Sequence, residues 1–186
     1  MKLDTKQKLS SLTVILHWLV AISIIGLLAV GIYMEENEVY SLYPIHKSVG
    51  FIVFFVILLR VFWRMKNGWP TPAGEVKAIE QRLAHIVHWV LILGTIAMPL
   101  SGILMGYYGG RGVFVFGLEV LAPNMNPEDI KKTMPINDDI GGFAHSMHGW
   151  VGNILIGAIV LHILGALKHH FIYKDGTLDR MKGKEI

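Results

Sequence analysis

His148 and His162 stand fourteen residues apart in an apolar, glycine-containing stretch near the C-terminal end of the chain. On an α-helix that interval is a rise of about 21 Å, and fourteen steps of about 100° bring the second side chain to within about 40° of the first. One helix therefore presents two imidazoles on nearly one face, one near each side of a lipid bilayer. Ionisable side chains at such depths are costly and usually functional. Two metal centres held by imidazole and stacked in this way would carry electrons across a membrane.

The rest of the composition narrows what those centres are. The 186 residues contain no cysteine. That excludes disulfides, Cys-ligated iron–sulfur clusters and the C-x-x-C-H attachment of c-type haem. No H-E-x-x-H motif or carboxylate-rich helix accompanies the nine histidines, as a zinc enzyme would require. Non-covalent b-type haem with two axial histidines suits an imidazole-only donor set deep in lipid, and two such haems are expected.

The elements that must position these histidines are membrane spans. Hydrophobic residues make up 53% of the chain. Four segments approach the ~20 apolar residues that cross a ~30 Å hydrocarbon core. They run over about 12–34, 46–63, 83–105 and 143–172, and predict an all-α transmembrane four-helix bundle binding two haems, with residues 1–186 forming one integral-membrane cytochrome b domain. The first segment reads as a retained span and not as a cleaved signal peptide, because its apolar run exceeds the usual 7–15 residues. Asn126 to Met134, with Asn126 as cap and Pro127 following, predicts a short surface helix.

Charge placement orients the bundle. Lys2, Lys6 and Lys8 precede the first span, and Arg60, Arg64, Lys66, Lys77 and Arg82 surround the second connection. Lys168, Lys174, Arg180, Lys182 and Lys184 lie at or after the last span, whereas Glu35, Glu36 and Glu38 follow the first. The third connection carries Arg111, Lys131 and Lys132 against five carboxylates. By the positive-inside rule both termini are cytoplasmic. The net charge of +3 is then a topology signal and not a nucleic-acid one. Trp18, Trp63, Trp69 and Trp89 are expected at the inner interface, and Trp150 near the outer one.

This orientation sorts the histidines into layers. His17 and His162 fall near the inner face, His46 and His148 near the outer face, and the economical pairing is His17 with His162 and His46 with His148. His88 could replace His17 on spacing alone. His145 is about 100° off the face shared by the last-helix pair, and no role follows for His85. Arg60, fourteen residues after His46, faces the inner layer, where it could bind a haem propionate or reach the headgroups. Gly31, Gly50, Gly102 and Gly152 fall beside these layers, where a missing Cβ allows close approach by a macrocycle or another helix.

His17-Trp18, His46, Ala84-His85-x-x-His88, Arg111-Gly112 before Phe116-Gly117-Leu118, and His148…Leu161-His162…His169-His170-Phe171…Lys174-Asp175 together resemble the bacterial cytochrome b561 family. The resemblance covers nearly the whole chain. It implies a four-helix di-haem cytochrome of the bacterial inner membrane with the same pairing, His17 and His162 on the cytoplasmic side, His46 and His148 on the periplasmic side. It further implies an oxidoreductase of superoxide oxidase type, passing electrons from periplasmic superoxide to ubiquinone, with His169 in a quinone pocket. His145 and the composition of the outer loop depart from the family pattern. A haem-bearing electron-transfer subunit for a separate dehydrogenase or hydrogenase is the alternative, and the lack of a large docking domain weighs against it. A His-based metal transporter is disfavoured by the scarcity of other coordinating residues in the spans. The outer loops are net acidic, so only a local basic funnel, built from Lys47, Arg111, Lys131 or Lys132, could steer an anion there.

Overall fold

The computed structural model describes residues 3–74 and 77–186; Lys2, counted above with the inner basic residues, lies outside them. Four long helices dominate: α1 Ser11–Glu36, α2 Tyr43–Asn67, α3 Ala78–Tyr108 and α4 Asp138–Lys168. All four are long and apolar enough to cross a membrane. Between α3 and α4 lies an antiparallel hairpin, β1 Val113–Val115 and β2 Leu118–Leu121. A short helix, α5 Thr177–Met181, follows α4.

Each helix starts and stops for local reasons. The Ser10 side chain accepts from the Thr13 N–H at the head of α1, and Asn137 does the same for Ile140 at the head of α4. Such caps satisfy amides that have no intrahelical partner. Pro44 opens α2 in the first turn, where its missing N–H costs nothing, and Gly68, at φ 69°, ends it. α3 runs on through Pro99, and the neighbouring Thr95 and Ser101 hydroxyls bond back to carbonyls of the preceding turn.

The bundle packs as a sequence of neighbours, with the closest contact between α3 and α4. Its core is Val20, Ile24 and Leu28 from α1, Val53 and Ile57 from α2, and Leu155 from α4. Leu155 and Ile57 are fully buried. Leu155 sits midway along α4 between His148 and His162, so an apolar plug separates the two histidine layers. Gly94 makes room for it, since a Cβ there would lie 2.7 Å from Leu155 Cδ2. Ile22, Phe62, Ile86 and Leu164, by contrast, are exposed outward, as lipid-facing residues of a spanning helix should be.

At one end, polar groups stitch distant segments together. Asp4 bonds to Ser10, Thr13 and Arg64, the last at 3.0 Å. Arg180 is buried and donates to the carbonyls of Thr71 and Thr5. Trp18 donates to the Met181 carbonyl, and the Ile186 N–H to that of Gln7. The N-terminal segment, the α2–α3 connection and the C-terminal segment thus share one end of the bundle.

Three local features differ from the expectations of the sequence. Asn126 to Met134 is not a helix: its ends pair as an isolated bridge, Met125 with Thr133. Asn126 still accepts from Glu128, but Lys132 returns to bond Asp129, so the segment closes on itself instead of propagating. The β-hairpin has no counterpart among the expected elements. Its two-residue turn, Phe116-Gly117, has both φ positive (49° and 87°), the geometry of a primed turn, and phenylalanine is not a usual signal for it. Trp63 does not serve as an exposed interfacial anchor. It is buried and donates to Thr13 Oγ1 at 2.9 Å.

Burial alone would push the Asp4 carboxyl up, but hydrogen bonds from Ser10, Thr13 and Arg64 outweigh it and hold it below its ordinary value of 3.8. The folded form therefore releases this proton more readily than the unfolded one. Its stabilisation is fully present above pH 3.8 and is lost as pH falls through the lower folded value. Asp4→Asn is expected to cost about 1–3 kcal/mol at neutral pH. Thermal unfolding in detergent should show the variant less stable than the parent, with the gap closing on acidification.

Candidate haem site

Helices α1, α2 and α4 bring four of the nine histidines into two facing pairs. The ring centres of His17 and His162 are 6.1 Å apart, and those of His46 and His148 are 6.4 Å apart. Imidazole nitrogens stand about 2 Å from a bound first-row metal and roughly 1 Å from their own ring centre, so one metal held between two rings separates the centres by about 6 Å. Both pairs have that spacing, one at each end of the apolar plug. α1 and α4 approach little along their backbones, yet their rings face each other across the interior.

Further features suit a flat, imidazole-ligated group. His46 Nδ1 is buried and without a hydrogen-bond partner among the described residues, a costly state for a ring nitrogen unless something else occupies it. A Cβ on Gly31 would lie 3.5 Å from His46 Cε1, and one on Gly102 would lie 3.3 Å from His148 Cε1. Gly102 gives the His148 ring its space, while Gly31 lies at ordinary contact distance from His46. Gly152 serves packing, since its Cβ would meet Met98 and Leu28, whereas Gly50 faces open space. The donor set is nitrogen throughout, so non-covalent b-type haem fits these residues.

The remaining histidines separate clearly. His88 joins the inner cluster, its ring centre 5.3 Å from that of His162. That is shorter than a bridging metal requires, so His17 suits the pairing better. His85 is exposed and stacks on Trp69 at 5.3 Å. His145 does not enter the outer pair: it is exposed, with Nδ1 3.2 Å from Met105 Sδ. Arg60 is half-buried on α2 near His17, His88 and His162, with no ion pair among the described residues. This places a cation beside the inner cluster.

His169 opens a π-helical turn, His169–Tyr173, at the end of α4. Such turns often mark functional positions. Its Nδ1 meets the Asp175 carboxylate, which also accepts from the Thr177 N–H. Burial would raise the Asp175 carboxyl, but the bonds from His169 and Thr177 prevail and hold it below the usual carboxylate value. Tyr173 donates to both oxygens of Glu80, which also pairs with Lys168. Sequence spacing places His169 and Asp175 in one motif but does not reveal their contact, because the helical turn and loop between them must fold back to make it.

At the His46–His148 end the hairpin is pinned to α2. The Phe116 N–H donates to Ser48 Oγ at 2.8 Å, and that buried hydroxyl donates to the Pro44 carbonyl. Beneath lies a cavity of about 240 Å³ lined by Tyr43, Lys47, Arg111 and Phe114, among others. Lys47 and Arg111 have no ion pair among the described residues and share this cavity, Lys47 standing next to His46 in the chain. A larger apolar recess of about 410 Å³, lined by Phe51, Phe55, Leu59 and Val120, offers no comparable pair of cations.

Comparison with known proteins identifies the family. The family profile described as prokaryotic cytochrome b561 matches residues 8–184. Cytochrome b561 homolog 2 of Escherichia coli (strain K12) is 30% identical, over 97% of this chain and 94% of the relative. The probable superoxide oxidase CybB of Yersinia pestis is also 30% identical, over 96% and 98% respectively. Cytochrome b561 homolog 1 of Escherichia coli (strain K12) is 27% identical over 94% and 96%. The chain belongs to the prokaryotic cytochrome b561 family, membrane electron-transfer proteins that bind b-type haem.

Because no cysteine is available to form a thioether, all haem should leave the denatured protein in acidified organic solvent. A pyridine haemochrome of the extract should show b-type bands, with none remaining on the polypeptide.

Proposed function

We propose that this protein is a di-haem b-type cytochrome of the bacterial inner membrane, an oxidoreductase that takes electrons from superoxide at the outer face and delivers them to ubiquinone at the inner face. The observation that carries the reading is the pair of facing imidazole couples, 6.1 and 6.4 Å between ring centres, at opposite ends of one apolar core. In this reading His17 and His162 ligate the inner haem iron, His46 and His148 ligate the outer one, and Arg60 neutralises an inner propionate. When bound, such bis-histidine haems supply one-electron carriers with no open metal position, tuned by ligand, hydrogen bonding and burial. Substrates therefore exchange electrons at the edge of the bundle.

Residues 1–186 form one membrane domain in this reading, embedded in lipid with both termini cytoplasmic. The shared end of the termini, where Arg64 and Arg180 cluster, is the basic and hence inner side. The outer entry is the Lys47–Arg111 cavity. The surrounding loops are net acidic, so the two cations lining this cavity provide the attraction for a small anion. The chain's similarity to the probable superoxide oxidase CybB of Yersinia pestis favours superoxide as that anion.

At the inner face His169 contacts the quinone. With Nδ1–H donated to Asp175, its Nε2 donates to a quinone oxygen when the ring carries both protons. The stoichiometry closes: two superoxide ions lose one electron each to become two molecules of oxygen, and ubiquinone gains those two electrons and two protons from the inner side to become ubiquinol.

Three measurements test the reading. Haem-to-protein ratio should be two in the parent, and should fall to one in His17→Leu but not in His88→Leu; an unchanged ratio in His17→Leu removes the inner pairing. Anaerobic mixing of the holoprotein with superoxide and a soluble ubiquinone analogue should give quinol, and His169→Leu should slow this about 100-fold with haem content intact. In Lys47→Gln combined with Arg111→Gln, reduction by superoxide should slow about tenfold and lose its dependence on ionic strength. Haems that superoxide does not reduce would rule out this donor.

A further inference from the structure

We infer that Ser101 and Gly102 of α3 form a positioning shelf for His148, and that the Ser101 hydroxyl fixes the tautomer and orientation of that ring. The inference rests on the assignment of His148 as an outer haem ligand, and goes beyond it by identifying what holds the ligand in place.

Ser101 is fully buried, at 0% exposure, in the C-terminal part of the apolar span α3. Its Oγ lies 2.8 Å from the Met98 carbonyl and 3.0 Å from His148 Nδ1. A carbonyl can only accept, so the single hydroxyl proton goes to Met98. The same oxygen then accepts from His148 Nδ1, whose ring also faces the acceptor-only Met98 carbonyl, so this pair of acceptors places the imidazole proton on Nδ1. Nε2 is left with a free lone pair, the form in which neutral imidazole binds a metal.

Gly102 completes the shelf. A Cβ there would stand 3.3 Å from His148 Cε1, tighter than ordinary contact, and 3.5 Å from Nδ1. The ring therefore turns its Cε1–Nδ1 edge toward Gly102 on α3, with Nδ1 held by Ser101. No helix turn separates the two residues, so the hydroxyl and the gap are delivered together by one position on α3.

His46, the facing ring, has no such support among the described residues, since its Nδ1 is buried and unpartnered. The couple is thus asymmetric: α4's histidine has a side-chain partner and α2's has none among the described residues. Partners of this kind orient a ligating histidine and raise its basicity. A more basic ligand favours the oxidised metal, so Ser101 holds the outer potential down. That sense suits a centre passing electrons on toward the inner face.

The test uses holoprotein purified in detergent, with potentiometric titration and low-temperature electron paramagnetic resonance of the oxidised form. In Ser101→Ala, one haem should shift to higher potential, by up to about tenfold in its reduction equilibrium, or about 59 mV for one electron. The low-spin signal of that haem should move while the other stays in place, and Ser101→Thr, which keeps the hydroxyl, should restore the parental potential. Unchanged potentials and signals in Ser101→Ala, or equal shifts of both haems, would overturn the proposal.

If Ser101→Ala does not accumulate with haem, Gly102→Ala decides, because its methyl must tilt the ring. A displaced signal for one haem supports the shelf, and an unchanged spectrum refutes it. His148→Leu separates the two levels of inference. Retention of both haems would remove the ligand assignment itself. Loss of one haem, together with a silent Ser101→Ala, would remove the shelf alone.

Discussion

Polar rings placed at membrane depth must find partners inside the bundle, because hydrocarbon offers none, and the rest of this molecule answers to that constraint. Four imidazoles carry that demand in two facing pairs, His17 with His162 and His46 with His148, spaced for a group held between the rings. Their backbones are distributed over α1, α2 and α4, so the pairing is also what fixes which helices must be adjacent and in what rotation. Thr95 and Ser101 meet the same demand more cheaply, by bonding to carbonyls of their own helix.

Between the pairs the chain places only apolar bulk. Leu155, Ile57 and their neighbours keep the middle of the bundle dry, and Gly94 yields space so that Leu155 can reach the centre. A dry, close-packed middle lowers the local dielectric and resists rearrangement. Those conditions suit electron transfer, in which the carriers should reorganise little. The polar stitching is displaced to the ends: Asp4, Arg64 and Arg180 on one side, the Ser48-pinned hairpin on the other. Each end is thereby held in place, with Lys47 and Arg111 at one and His169 with Asp175 at the other.

The regular part of this design is legible in the amino-acid sequence. Helix periodicity carries His148 onto the face of His162 and Arg60 onto the depth of the inner layer, because both relations lie within one helix. The existence of the spans follows from apolar length, although α3 and α4 extend several residues beyond their apolar runs into polar ends. Relations that cross between helices are harder. Nothing local to α3 announces that Ser101 meets His148, since a lone serine in a span is ordinary. The depth of Trp63 suggests an interfacial anchor, but depth says nothing about rotation, and rotation turns it toward Thr13. The hairpin escapes sequence reasoning because its turn needs two positive φ angles and has phenylalanine at the first.

The sequence by itself determined the membrane setting, the nitrogen-only donor set and the two depths at which histidines recur, because these depend on composition and on spacing along single helices. Only the tertiary structure decided that His17 rather than His88 stands at a metal-bridging distance from His162, that His145 turns away to Met105, and that Lys47 meets Arg111 beneath the hairpin. Those outcomes depend on how helices rotate and pack against each other and on where irregular segments return. Such relations are set by the mutual fit of many side chains at once, and no stretch of the chain encodes them alone.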